Sequence, residues 1–204
     1  KVLGDEENVK IFSHGMFQSV YDYPFLSSSA NHIFDITVGY ANSSPLSSSA
    51  NEQNAKKINL YNQMAQVCMG YDKTGSIQLF DEDWDLASGT KMTECMFFNF
   101  SRLLVKDEIK KGSFQLELGI HPSFEQAGAT TMHNRIKITD FSGSNGFKTN
   151  SPVGEYGILF ATCSTPTFNG DTLDLLLAND GVGQPACGLI FYQAGIVVLS
   201  GSVF

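Results

Sequence analysis

The chain has 204 residues, enough for one domain with a sizeable core or one domain plus an arm. Its net charge of −8 argues against a nucleic-acid partner, which needs a basic stripe to displace counterions; the densest basic cluster, Lys106, Lys110 and Lys111, is interrupted by Asp107 and Glu108. Charged residues make up 17%, below the roughly 25% of a typical soluble domain, and sixteen residues are Phe, so large protein contacts are expected alongside core burial.

The chain opens on Lys1 rather than Met, which leaves processing or truncation open, and no basic-then-apolar leader pattern follows. Residues 1–50 are rich in Ser, Asn and Tyr and are expected to form an irregular arm on a main domain spanning 51–204. Within the arm, "FSHGMFQSVYDYPF" carries Phe12, Phe17, Tyr21, Tyr23 and Phe25, many aromatics for a loop-rich stretch and candidates for a partner surface. The hexapeptide "LSSSAN" occurs at 26–31 and again at 46–51 with unrelated flanks, which reads as two polar turns rather than a repeat. Between them "HIFDITVGY" alternates Phe34, Ile36, Val38 and Tyr40 with smaller or polar residues, the signature of a half-buried strand.

Ser49 and Glu52 have capping-box spacing, and the spacing of Ile58, Tyr61, Ala65 and Cys68 predicts a helix over 52–69, stopped at Gly70. "DKTG" at 72–75 predicts a tight turn into a strand over 76–80. The acidic run "FDEDWD" (Asp81, Glu82, Asp83, Asp85) offers carboxylates to a hard cation, but it lacks EF-hand spacing and reads as a solvated loop pinned by Trp84. Further strands are expected at 94–100, 113–120, 135–141, 155–163 and 172–178, with loops at 142–146 and 179–183 and a turn at 169–171. Of the 97–119 stretch, Phe97 and Phe98 are candidates for a partner surface.

The chain ends on "GLIFYQAGIVVLSGSVF", which holds no charge. Gln193, Gly195, Ser200, Gly201 and Ser202 interrupt it too often for a membrane span, which needs about 20 mainly apolar residues. Two buried strands joined by a short turn are expected, their far end available to pair with a neighbouring subunit; Phe191, Tyr192, Leu199, Val203 and Phe204 join the candidate interface. Many short strands with Gly-rich turns predict a mainly β fold, an antiparallel sandwich or barrel-like domain with one amphipathic helix.

No catalytic constellation emerges. There is no G-x-S-x-G elbow, His14, His32, His121 and His133 fall in separate contexts, and nothing pairs Glu108, Glu117 or Glu155 for acid–base work. "GVGQPACG" is not followed by a helix, and the Asn99-Phe100-Ser101 glycosylation triplet sits in an apolar strand and is discounted. Cys68, Cys95, Cys163 and Cys187 form no C-x-x-C pair and sit in apolar contexts, so free buried thiols are expected, with neither metal nor cofactor.

Four stretches, "INLYNQMAQVCMGYD", "FFNFSRLLVKDEIKKGSF", "PVGEYGILF" and "GLIFYQAGIVVLSGSVF", resemble virion structural proteins of large contractile-tailed bacteriophages, nearest those infecting marine bacteria and cyanobacteria. The likeness runs in order from about Ile58 to Phe204. It implies a non-enzymatic particle component of the tail, neck or baseplate region, assembled in the host cytoplasm with copies of itself and other virion proteins. It carries over no catalytic residues. The alternative is a receptor- or glycan-binding module of a phage fibre or spike, with sugars stacking on Tyr21–Phe25 or Trp84. A cell-wall- or capsule-degrading enzyme comes third, lacking an acid–base pair.

Overall fold

A computed structural model describes residues 7–48, 53–81, 91–101, 107–120, 134–163, 167–168, 171–172 and 186–203. The fold is mainly β. Strands β1 (Val9–Ile11), β2 (Gln18–Tyr21), β3 (His32–Tyr40), β4 (Glu94–Phe100), β5 (Gln115–Ile120), β6 (Asn134–Thr139), β7 (Lys148–Ser151), β8 (Gly154–Cys163), β11 (Ala186–Phe191) and β12 (Ile196–Ser200) build one antiparallel sheet. Its order is β1-β2-β3-β4-β12-β11-β8-β6-β5, with β7 branching from β8. β9 (Thr167–Phe168) and β10 (Asp171–Thr172) make a separate two-stranded ribbon. Two helices, α1 (Asn54–Cys68) and the four-residue α2 (Gly143–Gly146), complete the elements used below.

Alternation along each strand sorts side chains onto two faces, and both faces are covered. On the first, Cys95 and Phe97 of β4, Leu189 and Phe191 of β11, Val198 of β12 and Tyr156 of β8 pack with Tyr61, Ala65 and Cys68 of α1 and with Phe80. On the second, Phe98, Val197, Leu199, Ile190, Leu159, Ile136 and Ile138 form a core of their own. The sheet coils round this second face, bringing Phe114 beside β5 to within 6.1 Å of the Phe100 ring on β4. The result is an open but strongly coiled sheet, sandwich- and barrel-like, with one helix laid on its outside. Each fully buried Phe, Leu or Ile contributes about 1.5–3 kcal/mol. A bulge between Ala186 and Gly188 breaks the alternation of β11, so Cys187 faces the second core although Leu189 and Phe191 face the first.

Close approach explains where α1 sits. A Cβ on Gly39 would lie 3.1 Å from the Lys57 carbonyl oxygen, the Tyr61 nitrogen and the Phe97 ring, so glycine lets the helix lie directly on β3. The helix begins at Asn54 after Gln53, later than the expected start at 52. Ser49 and Glu52 lie outside the described residues. Its C-terminus is as expected: Gly70, at φ +78°, donates to the carbonyls of Ala65 and Gln66.

Several expectations are corrected. Residues 9–40 are not an arm but three strands of the main sheet, and β3 pairs with β4 across the expected boundary at 50, from Phe34–Phe100 to Tyr40–Glu94. Residues 76–80 form no strand, because only isolated bridges, Tyr71 with Ile77 and Asp81 with Lys91, hold that segment. Residues 143–146 form a helical turn rather than a loop. The strand expected at 172–178 is described only at Asp171–Thr172. The terminal hairpin is present, but β12 hydrogen-bonds β11 on one side and β4 on the other, which leaves that strand no edge for a neighbour. The turn at 72–75 forms as expected, with Asp72 Oδ1 accepting from Thr74 and Ser76; these bonds, led by the Thr74 hydroxyl, hold its carboxyl below the usual range. Among the described residues no helix is long and apolar enough to cross a membrane.

Candidate functional site

The expected interface residues divide into two groups. Phe97, Phe98, Phe191, Tyr192 and Leu199 are buried inside the chain, because a sheet covered on both faces absorbs alternate side chains in both directions. Val203 closes a short turn after β12, and Phe204 lies outside the described residues. The N-terminal aromatics are different. Phe12 stacks on His14 at 5.2 Å and touches Phe17 at 4.9 Å, and Tyr21 meets Phe25 at 6.4 Å and His32 at 5.5 Å. Tyr23 and Leu26 stand out on the β2–β3 loop, 59% and 88% exposed. That loop is a built structure: Asn31 donates from its backbone and its amide to Asp22, and Phe25 N–H donates to Glu7.

The registers reveal a feature that no linear motif signalled. On the second face one row runs Val9, Val20, Phe34, Phe100, and the next runs Ile11, Gln18, Ile36, Phe98, Val197. These rows continue the interior core outward to β1, the strand that ends the sheet. There the cover gives out: Ile11 is 51% exposed and Val38, further along β3, is 41% exposed. The open end of the sheet therefore joins an apolar face to a strand edge that, among the described residues, has no partner strand.

The possible chemical centres resolve into structural knots. Ser19 donates to Asp35 Oδ1 at 2.5 Å, and His32 Nε2 lies 2.8 Å from the same oxygen. Both groups converge on the carboxylate, and no Ser–His bond forms, so the order needed to activate a nucleophile is missing. Glu108 and Glu155 are brought together only by Lys111, at 3.3 and 2.6 Å, while Glu117 is exposed on β5. Asp140 is buried and accepts from Gly112 N–H at 2.7 Å, Phe114 N–H at 2.8 Å and the Tyr192 hydroxyl at 3.2 Å. Tyr192 fits there because Gly143 and Gly157 lack side chains: a Cβ on either would come within 2.3 Å of its hydroxyl. Burial, helped by the neighbouring Asp140, pushes the Tyr192 hydroxyl far above its usual range.

Asp81 is buried against Lys91, and the other acids of its run, with Trp84, lie outside the described residues, as do His121 and His133. Among the described residues no group of three His, Cys, Asp or Glu could hold a metal. Cys68, Cys95 and Cys187 are buried and in no disulfide among the described residues, and burial pushes the Cys68 thiol up to about 12. No protein-family model, curated protein or solved structure matches the chain.

Proposed function

We propose that the chain is a non-enzymatic structural subunit of a bacteriophage particle, of its tail, neck or baseplate region, assembling in the host cytoplasm through the open β1–β3 end of its sheet. The observation that carries this reading is the run of two largely apolar rows, one interrupted at Gln18, from the interior core out to an exposed sheet edge. Such a face is stable in water only at a cost, and a second copy or another particle protein would bury it and supply a strand to β1. The sequence likeness to virion proteins supports the setting. The buried thiols of Cys68, Cys95 and Cys187, which form no disulfide among the described residues, suit assembly in a reducing compartment.

The test is the solution mass of the purified chain by size exclusion with light scattering, at low and high salt. A discrete oligomer that persists in high salt is expected, since apolar contacts are not screened. The paired changes Ile11→Asp and Val38→Asp should convert it to a folded monomer. A monomer at every concentration and salt would refute self-assembly through this face. A glycan-binding module is the second reading, favoured by the exposure of Tyr23 on a hydrogen-bonded loop; specific binding of one saccharide on a glycan array, lost in Tyr23→Ala, would raise it above the first.

A further inference from the structure

A cavity of about 320 Å³ lies on the opposite face of the sheet, between α1 and strands β3 and β4. Its apolar walls are Met16, Phe17, Leu60, Met64 and Phe97. The roof is fastened down: the Met16 carbonyl accepts from the Thr37 hydroxyl and, at 3.3 Å, from Lys57 Nζ. Partial burial holds the Lys57 ammonium below the usual lysine range.

Besides Thr37, whose hydroxyl is spent on the Met16 carbonyl, two polar side chains line the same space, Asp35 on β3 and Asn99 on β4, which are direct cross-strand partners. Asp35 Oδ1 is engaged by Ser19 and His32, but Oδ2 accepts no hydrogen bond from the described residues. The Asn99 side-chain amide makes none either, and Asn99 is exposed at the rim. Lys57 forms no ion pair with Asp35; the carboxylate's ionic partner among the described residues is His32. An apolar chamber with a few convergent polar groups at one end is the usual build of a small-molecule site.

We infer that this cavity binds a small organic ammonium compound with an apolar body the size of one aromatic ring and a short arm. The two thioethers and Phe17 and Phe97 would surround the ring, since methionine adapts to flat apolar partners. The ammonium, with three donors and no acceptor, matches Asp35 Oδ2 and the Asn99 carbonyl oxygen side by side. A carboxylate of the same size would meet Asp35 as a like charge, and a saccharide would leave its hydroxyls against apolar walls.

The experiment is calorimetric titration of the full chain with 2-phenylethylamine, repeated with the near-isosteric 3-phenylpropionate. Saturable one-to-one binding of the amine, at least tenfold tighter than the acid, is expected. Met64→Trp should fill the chamber and abolish amine binding. Asn99→Lys changes an exposed residue, so the fold should survive; it should weaken the amine at least tenfold and reduce or reverse the preference. Circular dichroism and a thermal melt confirm that each variant is folded. Absence of amine binding by the unaltered chain, equal binding of the acid, or unchanged binding in folded Asn99→Lys would each overturn the inference. None of these readouts depends on whether the chain assembles through its other face.

Discussion

In β12 both rows of side chains are buried, Ile196 and Val198 toward α1 and Val197 and Leu199 toward the coiled interior. In β1 and β2 only Ser19 is buried, and the rows that begin in the core end on half-buried Val9 and exposed Ile11. The same alternation operates in both places. What differs is cover: the centre has a helix on one face and the curl of the sheet on the other, while the β1–β3 end has neither in full. Stability is thus concentrated at the centre, and the periphery is left free to make contacts.

The largest effect expected from this contrast is at Phe191, buried between Tyr156 and Phe80. Phe191→Ala should cost about 3–5 kcal/mol in denaturant unfolding. A loss below 1 kcal/mol would break the distinction between centre and edge. Next comes Gly157→Ala, whose Cβ would fall 2.2 Å from the Tyr192 hydroxyl. Overpacking there should cost about 1–3 kcal/mol, part of it recovered when Tyr192→Phe removes the clashing oxygen in the same chain. A double-mutant cycle with no coupling would show that the slot around Tyr192 does not constrain the core.

A smaller, pH-dependent effect is expected at Lys111. Its hydrogen bond to Glu155, with a further contribution from Glu108, raises its pKa. A raised lysine stabilises the fold fully below its unfolded value, about 10.4, and that stabilisation is lost as pH climbs through the folded value. Lys111→Met should therefore cost a few tenths of a kcal/mol near neutrality, as partly exposed pairs do, and nothing at more alkaline pH. A deficit that persists there would point to lost packing over the Phe147 and Tyr192 rings instead. Smallest of all, Ile11→Ser should change unfolding of the isolated chain by less than about 0.5 kcal/mol, while shifting any oligomer toward monomer in light scattering.

The elements that were legible in sequence were those whose burial leaves a period. β4 falls on the expected bounds, and β3 coincides with "HIFDITVGY", where apolar residues alternate with smaller or polar ones over a full strand length. β11 and β12 read as apolar runs because both of their faces are covered. β1 and β2 were illegible: "VKI" is too short to show a period, and "QSVY" carries Gln18 and Ser19 where a longer strand would show apolar residues. The abundance of Phe misled in a definite way. Phe97 and Phe98 are adjacent and both buried, which happens only when a sheet has two cores, and residue count does not distinguish that from a partner surface. The cavity was beyond reach for another reason. Asp35, Met64 and Asn99 come from three elements and share no linear motif; only the β3–β4 register and the seat of α1 on Gly39 unite them.

The position of β12 has a consequence for the order in which the fold can form. β4 and β11 never pair with each other; the sheet passes from one to the other only through β12. During synthesis the β1–β4 ribbon can therefore form early, and β5, β6 and β8 can pair later, yet the two remain separate sheets until the segment around Ile196–Ser200 has left the ribosome. Until then β4 exposes a free edge rich in Phe, the kind of surface that aggregates or recruits a chaperone. One late strand acts as a keystone, locking two nascent halves at once.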